Sequence, residues 1–314
     1  MLTAALECEG LVKRYGSLLA VDGLKFSVTE GEAYGLLGPN GSGKSTTIEM
    51  VVGVLIPDSG TVRVHGHEMA RHPLRAKRLV GYVPQEVALY PDLTGRENLR
   101  YFGRLFGLRG QRLRRRVAEV LDVVGLADRA DERLGTYSGG MQRRVNIAAG
   151  LVHEPKVLVL DEPTVGVDPQ SRNAILESVE RLVAGGTTVL YTSHYMEEVE
   201  RVCDRVGIID RGRIIAEGRP EELMATLSPG GRAEVEVDGD VQAAGVAVAA
   251  LSGVAVTVAD HRPRLLLVTW TEGADRLPDV LQALNGVAAV VRTAAVRPSL
   301  EEVFLHLTGT SLRD

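Results

Sequence analysis

The stretch EAYGLLGPNGSGKST, residues 32–46, decides the fold. Between Glu32 and Gly38 the run is apolar or small without alternation, the pattern of a strand buried on both faces of a parallel sheet. The next nine residues, GPNGSGKST, fit the spacing G-x-x-x-x-G-K-[ST] after a strand pattern and before a helical one. Gly38, Gly41 and Gly43 let the backbone turn with its N–H groups facing inward. With Pro39, Asn40 and Ser42 between them they make a cradle for anionic oxygens. The helix opening near Gly43 adds its positive dipole end. Lys44 is expected to reach the β- and γ-phosphates of a nucleotide, and the Ser45 hydroxyl, with Thr46 beside it, to ligate Mg²⁺.

Two more runs carry the same buried-strand pattern, KVLVLDEP (156–163) and TTVLYTSH (187–194). Helical patterns at 43–55, 111–124, 139–152 and 169–184 separate them. A hairpin is expected at 205–218 around Asp210-Arg211-Gly212. The order is that of an α/β fold. Composition shifts at the turn-rich Ser228-Pro229-Gly230-Gly231. The tail then reads strand (232–238), helix (240–251), strand (254–260), strand (264–271), helix (275–285), strand (287–295) and helix (299–308). This β-α-β-β-α-β order predicts a ferredoxin-like α+β module. It has no clustered His, Cys or carboxylates and is read as a structural, dimerising or regulatory part.

VLVLDEP ends in acid. Asp161 falls at the C-terminal edge of the sheet, where ligands of open α/β sheets bind, and is the natural Mg²⁺ partner. Glu162, one residue on, is placed to orient or deprotonate an attacking water. A third signal is YSGGMQRR (137–144), where Ser138, Gly139 and Gly140 combine a helix N-cap with backbone N–H groups. One chain thus carries two phosphate-binding helix starts but one nucleotide loop. Two copies pairing head to tail would complete each other's sites.

Composition narrows the class. A length of 314 residues favours about two domains. With 45% hydrophobic and 25% charged residues, wholesale disorder is excluded. A net charge of -5 argues against a protein that grips nucleic acid by its phosphates. Cys8 and Cys203 make neither a disulfide framework nor a zinc site, which fits a reducing compartment. The N-terminal residues lack the basic and apolar regions of a secretory signal. The nearest thing to a membrane span, 241–259, is Ala, Gly and Val broken at Ser252-Gly253, and is read as a helix followed by a strand.

With these motifs in place, residues 5–225 resemble the ATP-binding cassette of an ABC transporter. The resemblance implies a P-loop NTPase cassette over 1–227, with a mainly parallel core sheet, an antiparallel N-terminal β part and a helical subdomain at about 86–150, followed by an accessory domain over 228–314. It implies that Tyr15, in KRYGSLLAVDGL, stacks on adenine. It implies that Gln85, in GYVPQE, touches Mg²⁺ and the water and senses the membrane partner. Asp168, in VGVDP, would communicate across the dimer, and His194, in YTSHYMEE, would contact the γ-phosphate. Tyr137 and Met141 depart from the common LSGGQ signature, while Ser138, Gly139 and Gly140 are intact. The YSGGM variant, VGVDP and PSLEEVFLHLTG (298–309) together resemble the ATPases of ABC-2-type exporters, including daunorubicin-resistance cassettes. The implied ligands are ATP and Mg²⁺. The implied partners are a second copy and a separate multi-span permease, at the cytoplasmic face of the cell membrane, with no nucleic acid.

Other readings stand beside this one. A soluble ABC ATPase serving translation, DNA or cluster assembly is a rival, but the chain has neither two cassettes nor long coiled coils. A non-hydrolysing nucleotide switch is a second, and Glu162 and His194 count against it. The aromatics and arginines of 86–116 read as a solvated helical face, with Tyr90, Leu93, Tyr101, Phe102 and Phe106 lining part of a groove for a partner's helix. His65, His67 and His72 lack the companion ligands of a metal site and read as surface histidines.

Overall fold

The three unbroken apolar runs fold as strands in which every residue is buried: Ala33–Leu37, Val157–Asp161 and Thr188–Ser193. In a computed structural model, residues 3–227, 230–259, 262–270, 276–296 and 298–309 are described. They form two compact units, one running to Pro220 and one spanning Glu221–Gly309. Ser228 and Pro229, at the expected domain boundary, and Asp260, Thr271 and Asp275, at expected element ends, lie outside the described residues.

The first unit begins with β1 (Ala4–Tyr15), β2 (Leu18–Thr29) and β3 (Ala33–Leu37), then helix α1 (Lys44–Val51), β4 (Ser59–Val64) and β5 (His67–Glu68). Helix α2 (Pro73–Arg78) and β6 (Val80–Val83) follow, then helices α3 (Gly95–Leu105), α4 (Gly110–Val123) and α5 (Gly139–Leu151). The remainder is β7 (Val157–Asp161), α6 (Pro169–Ala184), β8 (Thr188–Ser193), α7 (Met196–Val202), β9 (Arg205–Asp210) and β10 (Arg213–Gly218). An antiparallel sheet runs in the order β2-β1-β4-β5. A six-stranded sheet runs β10-β9-β3-β8-β7-β6, parallel except for the expected β9–β10 hairpin.

One apolar core joins the two sheets. It takes Leu6, Leu11, Val21 and Leu24 from the antiparallel sheet, Tyr34, Leu36, Val159 and Leu190 from the parallel one, and Ile48, Met50 and Val51 from α1. That is why the parallel strands show no polar alternation: both their faces are covered. Their C-terminal ends therefore share one edge, from which the 38–43 loop, Gln85, Glu162 and His194 all emerge.

Helices α3 to α5 make the helical part. Thr94 and Glu97 form a capping box that starts α3. On α4, Leu113, Val117, Val120 and Leu121 recur at helical spacing and are buried, each stabilising by about 1.5–3 kcal/mol relative to exposure. Asp168 caps α6 and Pro169 occupies its first turn, so this helix starts where expected.

The second unit contains α8 (Pro220–Ala225, whose first residue belongs to the first unit), β11 (Gly231–Gly239), α9 (Val241–Ala249), β12 (Val254–Ala259), β13 (Arg262–Trp270), α10 (Leu277–Leu284), β14 (Ala288–Val296) and α11 (Leu300–Thr308). Its strands form one antiparallel sheet in the order β12-β13-β11-β14. Alternate residues Ala233, Val235 and Val237 of β11 pack on Ala244 and Val248 of α9 and on Val280 and Leu284 of α10. The Ala/Val-rich stretch 241–259 is a helix, a turn and a strand, and among the described residues no helix is long and apolar enough to cross a membrane.

Helix α5 crosses β6 at two glycines. A Cβ on Gly81 would overlap the carbonyl oxygen of Gly150 and come within 2.9 Å of Pro155 Cγ. Gly81→Ala is expected to cost about 1–3 kcal/mol through overpacking, read as a lower urea midpoint. An unchanged midpoint would show that the crossing tolerates a methyl group.

Candidate nucleotide-binding site

The loop after β3 is built around positions that exclude a side chain. A Cβ on Gly38 would overlap the Ile209 carbonyl oxygen of β9. Gly43 has φ +104°, and its Cβ would lie 2.5 Å from the Ala20 carbonyl oxygen of β2. The Gly212 N–H donates to the Ser42 carbonyl at 2.8 Å, and the Asp22 N–H donates to the Gly212 carbonyl at 3.0 Å. No side chain caps α1 at Gly43, so its first-turn amides face the loop with the positive end of the helix dipole. Lys44 is buried and donates to the carbonyls of Gly38 at 2.6 Å and Pro39 at 2.8 Å. Burial lowers its pKa, while the Glu162 and Asp161 carboxylates oppose that shift.

Both acids stand at the C-terminal end of β7, beside Thr192 of β8. Asp161 Oδ1 accepts from the Thr192 hydroxyl at 2.6 Å. Glu162, directly after β7, is in a left-handed conformation, φ +45°, unusual for a residue with a side chain. Its N–H donates to the Thr192 hydroxyl at 3.0 Å and the Thr192 carbonyl at 3.1 Å. Its Oε2 lies 3.2 Å from His194 Nδ1 and accepts from Gln85 Nε2 at 3.4 Å. The three residues predicted to handle water and γ-phosphate thus meet around one carboxylate oxygen.

An open cleft of about 260 Å³ gathers much of the predicted set: Asn40, Gly41, Gly43, Lys44, Ser45 and Thr46 from the loop, with Gln85 and Glu162. Tyr15, nearly half exposed, lines its outer edge beside Leu18 and Ala20. Gly38, Pro39 and Ser42 form the base of the loop, and the Ser42 hydroxyl is buried with no hydrogen-bond partner among the described residues. Ser138, Gly139, Gly140 and Asp168 do not line this cleft. Ser138 caps α5, accepting from the Met141 N–H at 3.3 Å. Asp168 caps α6 through the Ser171 N–H at 2.9 Å, and that bond lowers its pKa. The two caps adjoin, because a Cβ on Gly140 would overlap Ser171.

Residues outside the predicted set complete the site. Thr192 serves both acids. Arg143, buried on α5, donates to the carbonyls of Pro84 and Glu162. Glu198 accepts the hydroxyls of Thr164, Tyr191 and Ser193 at 2.7–3.0 Å, fixing the turn that presents His194. All three fall inside or beside quoted motifs, in YTSH, MQRR and YMEE, yet only contacts across the sheet reveal their partners.

Elsewhere in this unit a groove of about 270 Å³ is lined by Val52, Tyr82, Pro84, Phe102, Phe106 and His153 among others. Phe106 stacks on the His153 ring at 3.6 Å. Tyr90, Leu93 and Tyr101 do not line it. Tyr90 and Tyr101 meet edge-on at the surface and Leu93 is half-buried; Tyr90 and Leu93 precede α3, and of the aromatics on α3 only Phe102 lines the groove. His65 pairs with Glu30 at 3.1 Å, and His67 lies edge-on to His72.

Burial raises the Asp161 pKa, and Glu162 adds to it, against the Thr192 hydrogen bond, Lys44 and Arg143. A carboxyl raised on folding loses stability as pH climbs from its unfolded value through its folded one. Asp161→Asn is therefore expected to unfold at a higher temperature than wild type at pH 7 without nucleotide or metal. The gap should close as pH falls toward the ordinary value of about 3.9. Equal midpoints at pH 7 would refute the burial argument.

The family model described as ABC transporter matches residues 21–165. The linearmycin resistance ATP-binding protein LnrL of Bacillus subtilis (strain 168) is 46% identical over 313 residues, 98% of this chain and 100% of that protein. The daunorubicin resistance ATP-binding protein DrrA3 of Streptomyces coeruleorubidus is 43% identical, covering 100% and 98%. The Nod factor export ATP-binding protein I of Ralstonia nicotianae is also 43% identical, covering 99% and 96%. Among solved structures, a dimeric ATP-binding cassette in a post-hydrolysis state with ADP and phosphate aligns with TM-score 0.62 at 25% identity, over 68% of this chain and 98% of that one. Similarity along nearly the whole length of such relatives, on top of a phosphate loop with its acids in register, settles the family: the chain belongs to the ABC transporter ATP-binding proteins, in the group that serves ABC-2-type exporters.

Proposed function

We propose that this ATPase drives efflux of a drug, antibiotic or lipid-like substrate through a separate membrane permease, from the cytoplasmic face of the cell membrane. The observation that carries the reading is the Glu162 carboxylate held between His194 and Gln85 beside the phosphate loop. Glu162 takes the proton of the attacking water, and His194 orients water and γ-phosphate. Lys44 and the α1 amides offset charge on the phosphates. The oxygens of Ser45, Gln85 and Asp161 are hard donors that suit Mg²⁺. Bound there, the ion neutralises phosphate charge.

Two copies pair head to tail around two ATP molecules. The reading is supported by the separation of the Ser138 helix start from the cleft, where first-turn amides of α5 lack an intrahelical acceptor, and by Asp168 lying beside that start. The dimeric cassette among the structural relatives agrees with pairing. The apolar groove at Phe102 and Phe106 accepts a short helix of the permease. The names of the relatives, for resistance and export, count against the soluble-ATPase rival. The second unit is read as a ferredoxin-like accessory domain, which its strand order supports.

Glu162→Gln is expected to bind ATP and hydrolyse it at least about a hundredfold more slowly, the range for loss of a general base. Phosphate release measures it, and near-wild-type turnover excludes the role. The same variant, solubilised from membranes of its native cell with Mg-ATP, should co-purify with a multi-span protein. A variant recovered soluble or on ribosomes would instead favour the rival.

A further inference from the structure

We infer that Arg143 is a positioning residue for hydrolysis, setting Glu162 and Gln85 in register from the helix that begins at Ser138. The inference rests on the reading of Glu162 as the base. Arg143 lies in the second turn of α5 with only 3% of its surface exposed. Its Nη1 donates to the Pro84 carbonyl at 2.9 Å and its Nη2 to the Glu162 carbonyl at 3.1 Å. Asn146, one residue short of a turn further on, reaches the same Pro84 oxygen at 3.5 Å.

Glu162 needs such support. A non-glycine residue held at positive φ costs about 1–3 kcal/mol and persists only where its surroundings over-determine it. Thr192 fixes the peptide group before Glu162, and Arg143 fixes the one after it. The Pro84 carbonyl belongs to the peptide bond of Gln85. The two arms of one planar fork therefore set the spacing between the backbones whose side chains meet at 3.4 Å. The cation is buried close enough to both acids that Asp161 and Glu162 counter the pKa lowering burial imposes. Helix α5 also carries Ser138 at its start and lines the apolar groove with Asn146, Ala149 and Gly150 further along. A shift of α5 from either end thus acts on the catalytic carboxylate through Arg143.

The test is a mutant cycle in the full chain, with Arg143→Met, Arg143→Lys, Glu162→Gln and the doubles, read by Mg-ATP phosphate release and by binding of a fluorescent ATP analogue. Arg143→Met is expected to lower kcat about ten- to a hundredfold, as small misplacements of a catalytic group do. Its KM and analogue affinity should stay within about threefold. Arg143→Lys, which keeps the charge but not the fork, should recover part of the loss. In the Glu162→Gln background either substitution should change the residual rate less than about twofold, because the effect passes through that carboxylate. If Arg143→Met does not fold, Arg143→Lys carries the same cycle. Wild-type turnover of the folded arginine variants, or equal losses in both backgrounds, overturns the inference alone. Wild-type turnover of Glu162→Gln overturns the proposed base and this inference with it.

Discussion

The phosphate loop is clamped between the two sheets of its unit, and the site depends on that clamp. Gly38 lies against the carbonyl of Ile209 on β9 and Gly43 against that of Ala20 on β2, so neither position has room for a methyl group. The turn at Gly212 ties the two sides together through Ser42 and Asp22. Backbone amides must point inward for the loop to hold phosphate, and this packing holds them there. A loop open to solvent on both sides would have to be ordered by the nucleotide at an entropic cost.

The acids are managed differently from the loop. Asp161 and Glu162 are adjacent, buried and like-charged, which is unfavourable unless neighbouring groups compensate. Thr192 gives its hydroxyl hydrogen to Asp161 and accepts from the Glu162 amide, so one side chain serves both. Lys44 and Arg143 bring positive charge from two different helices. The left-handed turn at Glu162 breaks strand alternation and brings its carboxylate to His194 and Gln85. Strain and charge are thus concentrated beside the phosphate loop.

The candidate residues fall in two separate places in the first unit. The cleft holds the loop and the base, while the starts of α5 and α6 stand apart from it, capped by Ser138 and Asp168. Helix α5 runs from the Ser138 cap, past the Arg143 fork, to a wall of the apolar groove. It crosses β6 closely at Gly81 and Gly150, where neither position has room for a methyl group.

Much was legible in the sequence because it is local. The run 32–46, the hairpin at Asp210-Arg211-Gly212 and the cap and proline at Asp168-Pro169 each encode backbone preferences within a few residues. The β-α-β-β-α-β order of the second unit was likewise readable from periodicity alone. Residues whose roles depend on distant partners were not. Thr192 reads as an ordinary strand threonine until β8 lies beside β7, Arg143 as a helix arginine until Pro84 and Glu162 face it, and Glu198 as surface charge until three hydroxyls surround it. Tyr90 and Phe102 look alike in sequence, and only the turn of α3 assigns Phe102 to the groove. The sequence determined which groups make up the phosphate loop, because its glycines, lysine and hydroxyls are contiguous. Tertiary structure alone decided which groups hold them in place, because support for a buried, charged or strained residue comes from whichever strand or helix the fold packs against it.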